Sequence, residues 1–500
     1  MPLIKCFKII CCMLKRKGIN YRLIIKFIGI LLMLLSGFIF VSAAWSVYYD
    51  EPVSFRSILL SAAITFVAGL ILFSLTRKYD HRNIGKKEGY IIVTFTWISI
   101  SIFGALPFYL SGAISSYGDA FFETISGFTT TGATLLEDIE VVPKGLLFWR
   151  SLTQWLGGMG IIVLTLAILP ILGVGGMQLF IAEAPGTTPN RLHPRIKETA
   201  KRLWVIYVSF TIALIVLLKL GGMSVFDASC HALTTMSTGG FSTQNDSIAG
   251  YSSFIQYVII LFMIIAGINF SLHYFLIKGQ FDKLFKNEEI RFYFVILLGF
   301  TLLFTVAVFI LNSSDLEEAF RHSMFQVVSI VTTTGYISYD YLQWNDFLWF
   351  GLFLLMFVGG CIGSTAGGIK MIRHLVLLKN TILEFKRLIH PMAVIPVRVN
   401  SKAIPNEIIQ NFLAFFLIFV LVFAVGSAVM TIIGLDFTSA IGSVAATLGN
   451  VGPGIGSVGP IENYAHIPLA GKWFLSFLML LGRLELFTVL LLFSKAFWRK

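Results

Sequence analysis

The chain has 500 residues, of which 56% are hydrophobic and only 13% are charged, and its mean hydropathy is +0.83. Soluble proteins carry about 25% charged residues, so this composition excludes a soluble enzyme, a disordered protein and a disulfide scaffold. The five cysteines have no metal or redox spacing, and we expect them to be free thiols.

Ten apolar runs are each long enough to cross a bilayer, which takes roughly 20 helical residues. They lie near 24–48, 57–76, 90–112, 146–172, 203–222, 254–277, 292–312, 346–378, 408–433 and 469–494. The first run follows a basic stretch and ends near Val41-Ser42-Ala43, as in a signal peptide. Because it has the length of a full span, we favour a retained anchor. The sequence therefore predicts an all-α integral membrane protein with ten crossings.

The positive charges alternate with these runs. Of 38 Lys and Arg residues, 31 lie in six segments: 1–26, 77–89, 190–202, 278–291, 370–402 and 495–500. If each run crosses once, all six segments lie on one side, and the positive-inside rule makes that side cytoplasmic, with both termini. Membrane topology thus explains the net charge of +12 better than nucleic-acid binding does. The opposite segments are acidic, either as ordinary solvated loops or as a surface that concentrates cations.

After the first two runs, one pattern recurs four times. A long apolar run is followed by a segment of about 12 residues, a turn of small residues and another apolar run. Gly132, Gly239, Gly335 and Gly452 mark the turns, at spacings of 107, 96 and 117 residues, which indicates a repeat architecture. We expect a two-helix N-terminal extension at 1–89, then repeats at 90–189, 190–285, 286–400 and 401–500.

The short segments are too short to span a bilayer and suit re-entrant half-helices. Irregular backbone at membrane depth is tolerated only where protein or a water-filled path surrounds it, and four such loops around one axis provide that setting. A Thr/Gly turn there places backbone carbonyls where they can replace the hydration shell of a cation. The half-helices also direct the negative ends of their dipoles at the cavity.

These turns resemble those of the Trk/Ktr/HKT superfamily of potassium transporters, in particular its TrkH-like bacterial branch. The resemblance rests on Gly-Phe-Thr-Thr-Thr-Gly-Ala-Thr at 127–134, Ser-Thr-Gly-Gly-Phe-Ser at 237–242, Thr-Thr-Thr-Gly-Tyr at 332–336 and Gly-Asn-Val-Gly-Pro-Gly at 449–454. It implies two transmembrane helices followed by four membrane–pore loop–membrane units around a central ion pathway. The implied potassium filter comprises Thr130, Thr131, Gly132, Thr238, Gly239, Thr333, Thr334, Gly335, Asn450, Val451 and Gly452.

The fourth turn departs from the Thr-Gly pattern, which implies a looser and less symmetric site. In plant members of the superfamily, Ser or Gly at the first filter position separates sodium preference from potassium preference. Gly132 stands at that position here, so the resemblance implies potassium permeation.

A second glycine-rich segment, at 359–368, lies inside the long run at 346–378. It is interpreted as an unwound intramembrane gate, as the resemblance implies, or as close helix packing by small residues. Arg483 is interpreted as a pore-facing charge or as the partner of Glu485. Glu123 either supports the filter or simply bonds backbone groups. The candidate gating residues are Gly359, Gly360, Gly363, Ser364, Thr365, Gly367, Gly368 and Arg483.

The resemblance further implies a homodimer in the lipid of the bacterial inner membrane and a cytosolic, nucleotide-binding regulatory subunit of the TrkA-like kind. The nucleotide would belong to that partner, because this chain has no nucleotide fold and no cofactor is expected in it. Potassium is then the substrate. A secondary transporter that couples potassium to protons or sodium is the alternative function. A membrane-embedded enzyme lacks any catalytic constellation in the sequence, and we expect no enzymatic activity.

Overall fold

The structure is a computed structural model that describes residues 19–77, 86–163, 192–312 and 315–499. Predictions that fall on residues 1–18 or 164–191, among them those for Cys6, Cys11 and Cys12, lie outside the described residues. The regular structure of the described part is almost entirely helical. Its one sheet is a hairpin of two antiparallel strands with two residues each, β1 (Arg398–Val399) and β2 (Lys402–Ala403). The predicted all-α integral membrane fold is confirmed.

Eleven helices of 10 to 29 residues form the frame of the described part of the molecule. They are α1 (Tyr21–Tyr48), α2 (Pro52–Thr76), α3 (Lys86–Gly104), α6 (Lys144–Val163), α7 (Leu192–Leu220), α9 (Ser253–Ala266), α12 (Glu288–Asn312), α14 (Asp346–Leu355), α15 (Met371–Ile389), α16 (Asn406–Ile433) and α18 (Leu469–Arg483). Local signals set their ends. Pro52 opens α2, where a missing N–H costs nothing, and Gly434 ends α16 with a φ of +116°.

Four further helices, of 12 to 16 residues, each lie between two of these in the chain, and nearly all residues in their second halves are buried. They are α5 (Tyr117–Phe128), α8 (Val225–Met236), α13 (Leu316–Val331) and α17 (Phe437–Leu448). Each is followed by one of the predicted small-residue turns. The predicted repeat boundaries stay predictions.

The remaining helices are connecting pieces. They are α4 (Leu106–Leu110), α10 (Phe270–Ile277), α11 (Asp282–Phe285), α19 (Phe487–Leu490) and α20 (Lys495–Trp498), with single 3-10 turns at Tyr341–Gln343, Gly456–Val458 and Leu491–Phe493.

Six helices in the described residues are long and apolar enough to cross a membrane, and there are up to eight if each of two bent pairs counts as one span. The bent pairs are α9 with α10, at 102°, and α18 with the helix that follows it, at 112°. The apolar run at 346–378 is not one helix, because α14 ends at Leu355 and α15 begins at Met371. The prediction of ten crossings stays a prediction.

The interior consists of two large apolar clusters and a small one. The first joins α1 and α2 to α3, α5, α6, α17 and α18, and the second joins α7 to α9, α12, α13 and α14. Large apolar side chains remain exposed along α1, α2, α12 and α16. Soluble proteins rarely expose contiguous apolar patches of this kind, so these faces are suited to lipid.

Candidate functional site

The four buried short helices end in turns with the same backbone conformation. The second residue after each helix has a positive φ of 52° to 55°, which is uncommon for a residue with a Cβ, and a glycine two residues later has a φ between 76° and 100°. The first set is Thr130, Thr238, Thr333 and Asn450, and the second is Gly132, Gly240, Gly335 and Gly452. We call these segments turn 1 (129–134), turn 2 (237–242), turn 3 (332–336) and turn 4 (449–454).

The register predicted for turn 2 was wrong by one residue. Gly240, not Gly239, takes the place of Gly132, because Gly240 has a positive φ of +76° and lies two residues after Thr238. Gly239 instead corresponds to Thr131, Thr334 and Val451. The sequence Ser-Thr-Gly-Gly offers two adjacent glycines, and its spacing alone does not distinguish them.

The four turns close into a ring, in which each positive-φ glycine lies against a backbone carbonyl of the next turn. A Cβ added to Gly132 would lie within 2.5 Å of the Gly239 carbonyl oxygen, and one added to Gly240 would be as close to the Thr334 oxygen. Gly335 meets the Val451 oxygen and Gly452 meets the Thr131 oxygen in the same way. We call the oxygens of Thr131, Gly239, Thr334 and Val451 the carbonyl ring. Only glycine allows this approach together with this φ.

A narrow cleft of about 120 Å³ opens on one side of the ring, lined by the four positive-φ glycines and by Glu137 and Glu462. At its rim, the side chain of Asn245 ties the segments after turns 1 and 2 together. Its Nδ2 donates to Asp138 at 2.9 Å, and its Oδ1 accepts from the Ile139 amide at 2.7 Å. The bond from Asn245 lowers the pKa of Asp138, so this rim carboxylate stays ionised.

A buried ion pair joins turns 1 and 2 behind the ring. Glu123 of α5 accepts from Arg150 of α6 at 2.7 Å, and from the Leu135 amide at 2.8 Å. The guanidinium of Arg150 donates to the Ser242 carbonyl at 2.9 Å and stacks on Phe241 at 3.6 Å from its centroid. Glu123 therefore supports the turns and also bonds backbone. Sequence reasoning missed Arg150, which lies in an apolar run without a motif.

Residues 356–370, including the predicted gating residues, form a non-helical loop between α14 and α15, and we call this the intramembrane loop. A parallel bridge between Val358 and Ile369 closes its neck, and Gly363 and Gly368 have positive φ. Ser364 caps its own loop by donating to the Cys361 carbonyl at 2.6 Å. Unwinding is therefore observed where glycine density predicts it.

The intramembrane loop contacts the ends of the short helices and the residues that directly follow them. We call this side of the ring its deep side. The Gly367 amide donates to the Thr333 hydroxyl at 2.6 Å, and a Cβ at Gly367 would lie 2.8 Å from the Asn450 Cβ. The Thr365 hydroxyl donates to the carbonyl of Met236, the last residue of α8, at 3.1 Å. The loop therefore contacts turns 3 and 4 and the end of α8. Gly359 and Gly360 lie at its neck, where a Cβ would approach the Gly367 and Gly267 carbonyl oxygens.

Arg483, the last residue of α18, holds this loop. Its two terminal nitrogens donate to the Thr365 carbonyl at 2.8 Å and to the Gly157 carbonyl at 3.3 Å. The alternative pairing with Glu485 was wrong, since the carboxylate of Glu485 bonds Arg373 at 2.5 Å. Among the residues that the structure describes, Arg483 has no carboxylate partner. The buried guanidinium of Arg483 thus joins the intramembrane loop to the backbone of α6.

The arrangement provides backbone and hydroxyl oxygens rather than a cluster of metal-binding side chains. Within the described ranges, no three His, Cys, Asp or Glu residues come together as ligands for a metal ion. Cys230 and Cys361 are buried and unpaired with each other. Oxygens without formal charge suit a weakly bound monovalent cation that has to leave again.

The chain is similar to known cation transport proteins. Residues 56–500 match the TrkH family, described as a cation transport protein. The chain is 40% identical to the Trk system potassium uptake protein TrkH of Salmonella typhimurium, over 96% of this chain and all of that one. It is 38% identical to TrkH of Halomonas elongata over the same shares.

A solved structure is also similar. The crystal structure of the potassium transporter TrkH from Vibrio parahaemolyticus superposes with a TM-score of 0.89 at 37% identity, covering 96% of this chain and 100% of that chain. The expected absence of enzymatic activity agrees with a transport function. The chain belongs to the TrkH family of cation transport proteins.

Proposed function

We propose that this protein carries potassium ions into a bacterial cell through a pore whose selective part is the carbonyl ring. The observation that carries the proposal is the cyclic contact of four glycines with four carbonyls, one pair at each junction between turns. The relatives named as Trk system potassium uptake proteins support potassium as the ion.

The physical basis is replacement of hydration. A potassium ion that enters the ring exchanges water oxygens for carbonyl oxygens of Thr131, Gly239, Thr334 and Val451. The C-terminal ends of α5, α8, α13 and α17 direct partial negative charge toward the same place. Weak, uncharged ligands let the ion leave on the other side, which conduction requires.

The intramembrane loop is the proposed gate. It contacts Thr333 and Asn450 at the deep side of the ring, and Arg483 holds it there. Five glycines between 359 and 368 disfavour a helix, so two arrangements of the loop can have similar free energies. A partner that binds only one arrangement shifts the balance by its differential affinity. The proposed partner is a cytosolic TrkA-like regulatory subunit. The chain is also proposed to form a homodimer in the inner membrane, with both termini on the cytoplasmic side.

Secondary transport coupled to protons or sodium is the second candidate. The two bent helix pairs favour it, because discontinuous helices form the midplane sites of many secondary transporters. Uptake that follows an imposed proton or sodium gradient in the absence of a potassium gradient would support coupling. Uptake that follows the potassium gradient alone would support a channel.

Growth rescue of a bacterium deficient in potassium uptake tests the proposal. Expression of the chain should restore growth at low potassium. The Gly335→Ala variant should not, because its Cβ would collide with the Val451 carbonyl of the ring. Gly222→Ala is the matched control, since Gly222 also has a positive φ but nothing lies within 4 Å of a Cβ there. Equal growth of the two variants would contradict a pore at the ring.

A further inference from the structure

Turn 2 differs from the other three turns at the position that supplies the ring carbonyl. Thr131, Thr334 and Val451 have side chains at that position, whereas Gly239 has none. The φ of Gly239 lies outside the left-handed region, so its backbone does not require glycine. What excludes a side chain is the amide group of Gln154, whose Cδ, Oε1 and Nε2 would all lie within 2.8 Å of an added Cβ.

Gln154, on α6, bonds turn 2 on both sides of Gly240. Its Nε2 donates to the Gly239 carbonyl oxygen at 2.6 Å, and its Oε1 accepts from the Phe241 amide at 3.1 Å. The orientation of the amide group is fixed, because a carbonyl can only accept and a backbone N–H can only donate. Gln154 is fully buried, so water does not compete for these two bonds.

The turns are braced in different ways. In turn 1 the hydroxyls of Thr129 and Thr131 are hydrogen-bonded at 2.8 Å, and in turn 3 those of Thr332 and Thr334 are also 2.8 Å apart. In turn 4 the amide of Asn450 donates to the Thr131 hydroxyl at 3.0 Å. Turn 2 takes its brace from Gln154 on α6, whereas turn 4 is tied to α18, where the Asn450 amide donates to the Met479 carbonyl at 2.9 Å. Among the four ring carbonyls, only that of Gly239 receives a side-chain hydrogen bond within the part of the chain that the structure describes.

We propose that Gln154 is a positioning residue that determines ion specificity at the ring. It occupies the volume left by the missing side chain at Gly239 and holds the Gly239 carbonyl in place. Its N–H also withdraws part of the electron density that this carbonyl offers to an ion, which makes the four ligands unequal. This inference rests on the proposed function of the ring as a potassium filter.

Gln154 holds turn 2 together with a second side chain of α6. Arg150 lies one turn earlier on the same face, and it bonds Ser242 and stacks on Phe241. Two side chains of one helix therefore hold consecutive residues of turn 2. Since α6 follows turn 1 in the chain and Gly132 lies against the Gly239 carbonyl, Gln154 fixes turn 2 relative to turn 1.

The first test replaces Gln154 by methionine, which has similar length and cannot form either bond. Uptake of rubidium and of sodium is measured with the full-length protein in proteoliposomes. We expect the rubidium-to-sodium ratio to fall about fivefold, as for the loss of one hydrogen bond, while rubidium uptake persists. Gln256→Met is the matched control, because buried Gln256 donates to the Ile248 and Tyr251 carbonyls, which are not part of the ring. An unchanged ratio in the Gln154→Met protein would overturn the inference.

The second test adds a side chain at Gly239 and removes the one at Gln154, and asks whether the combined change restores selectivity. Gly239→Ser alone should impair uptake, since its side chain would collide with Gln154. Gln154→Ala combined with Gly239→Ser should fold even if Gln154→Met does not, and its ratio should exceed that of Gln154→Ala alone. A double variant that inserts normally without recovering the ratio would overturn the inference.

The positioning role of Gln154 and the proposed filter are distinguished by comparing two sets of variants. If Gln154 variants keep the ratio while Gly335→Ala loses it, the positioning role is wrong and the filter stands. If Gly335→Ala also keeps the ratio, the proposed filter itself is wrong.

Discussion

Replacing Gly132 by serine tests the carbonyl ring at its contact between turns 1 and 2. The serine Cβ would lie within 2.5 Å of the Gly239 carbonyl oxygen, whereas ordinary contacts begin at 3.4 Å. The carbonyl or turn 1 must therefore move by roughly 1 Å, and a non-glycine residue at this φ of +85° costs about 1–3 kcal/mol. A filter that discriminates by the placement of its oxygens should lose selectivity at a shift of this size.

The assay compares rubidium and sodium uptake by membranes that contain equal amounts of protein. We expect the rubidium-to-sodium ratio to fall by about tenfold, which corresponds to about 1.4 kcal/mol of lost discrimination. Gly112→Ser is the control, because Gly112 has a similar φ of +75° and no atom within 4 Å of an added Cβ. The control separates backbone strain from displacement of the ring. Unchanged selectivity in a Gly132→Ser protein that is present at normal levels would show that the contact between turns 1 and 2 does not set ion selectivity.

Three further predictions concern the gate and the ion pair behind the ring. Arg483→Gln should raise basal rubidium uptake by roughly tenfold, because it removes a buried charge and weakens a charge-assisted bond to Thr365; slower uptake with normal insertion would contradict this. Deleting two glycines within 359–368 should make rubidium uptake less dependent on the regulatory subunit, and equal dependence would exclude the loop as gate. Arg150→Met should lower the free energy of unfolding by about 3–5 kcal/mol, because Glu123 is left buried without its partner. Thermal unfolding in detergent measures this loss, and adding Glu123→Gln should restore part of it.

The order and type of the main helices could be predicted because membrane spans have a strong signal. Apolar runs of about 20 residues have no stable alternative in a bilayer, and the observed α1, α2, α12 and α16 lie where the runs are. The bends within the runs at 254–277 and 469–494 were not predicted. Asn269, which caps α10 by accepting from the Ser271 amide, restarts a helix inside an apolar run. Because hydropathy is averaged over many residues, it does not reveal the effect of such a single polar residue.

The four turns were also found from the sequence, but their register was not. Thr-Thr-Gly at turns 1 and 3 has one glycine and therefore one register, whereas turn 2 has Gly239 and Gly240. The choice depends on which glycine meets the carbonyl of turn 3, a contact between residues almost 100 positions apart. Periodicity within one segment carries no information about such a contact.

Partners of buried polar side chains were the least predictable part. Glu485 lies two residues from Arg483, and proximity in sequence suggested a pair. The chain turns sharply at Glu485 and Leu486, whose φ values are +59° and +50°, and the carboxylate meets Arg373 instead. Gln154 and Arg150 were missed for a related reason, because each lies in an apolar run and acts on a turn about 85 to 92 residues away.

Ion flux into liposomes that contain only the purified protein is the most direct test of selective potassium permeation through the ring. Potassium, rubidium and sodium are compared at equal concentrations and without any other gradient, so that neither a regulatory partner nor another transporter contributes. We expect measurable potassium and rubidium flux that exceeds sodium flux, and loss of this preference in Gly132→Ser but not in Gly112→Ser. Equal flux of potassium and sodium in the unmodified protein would contradict this expectation.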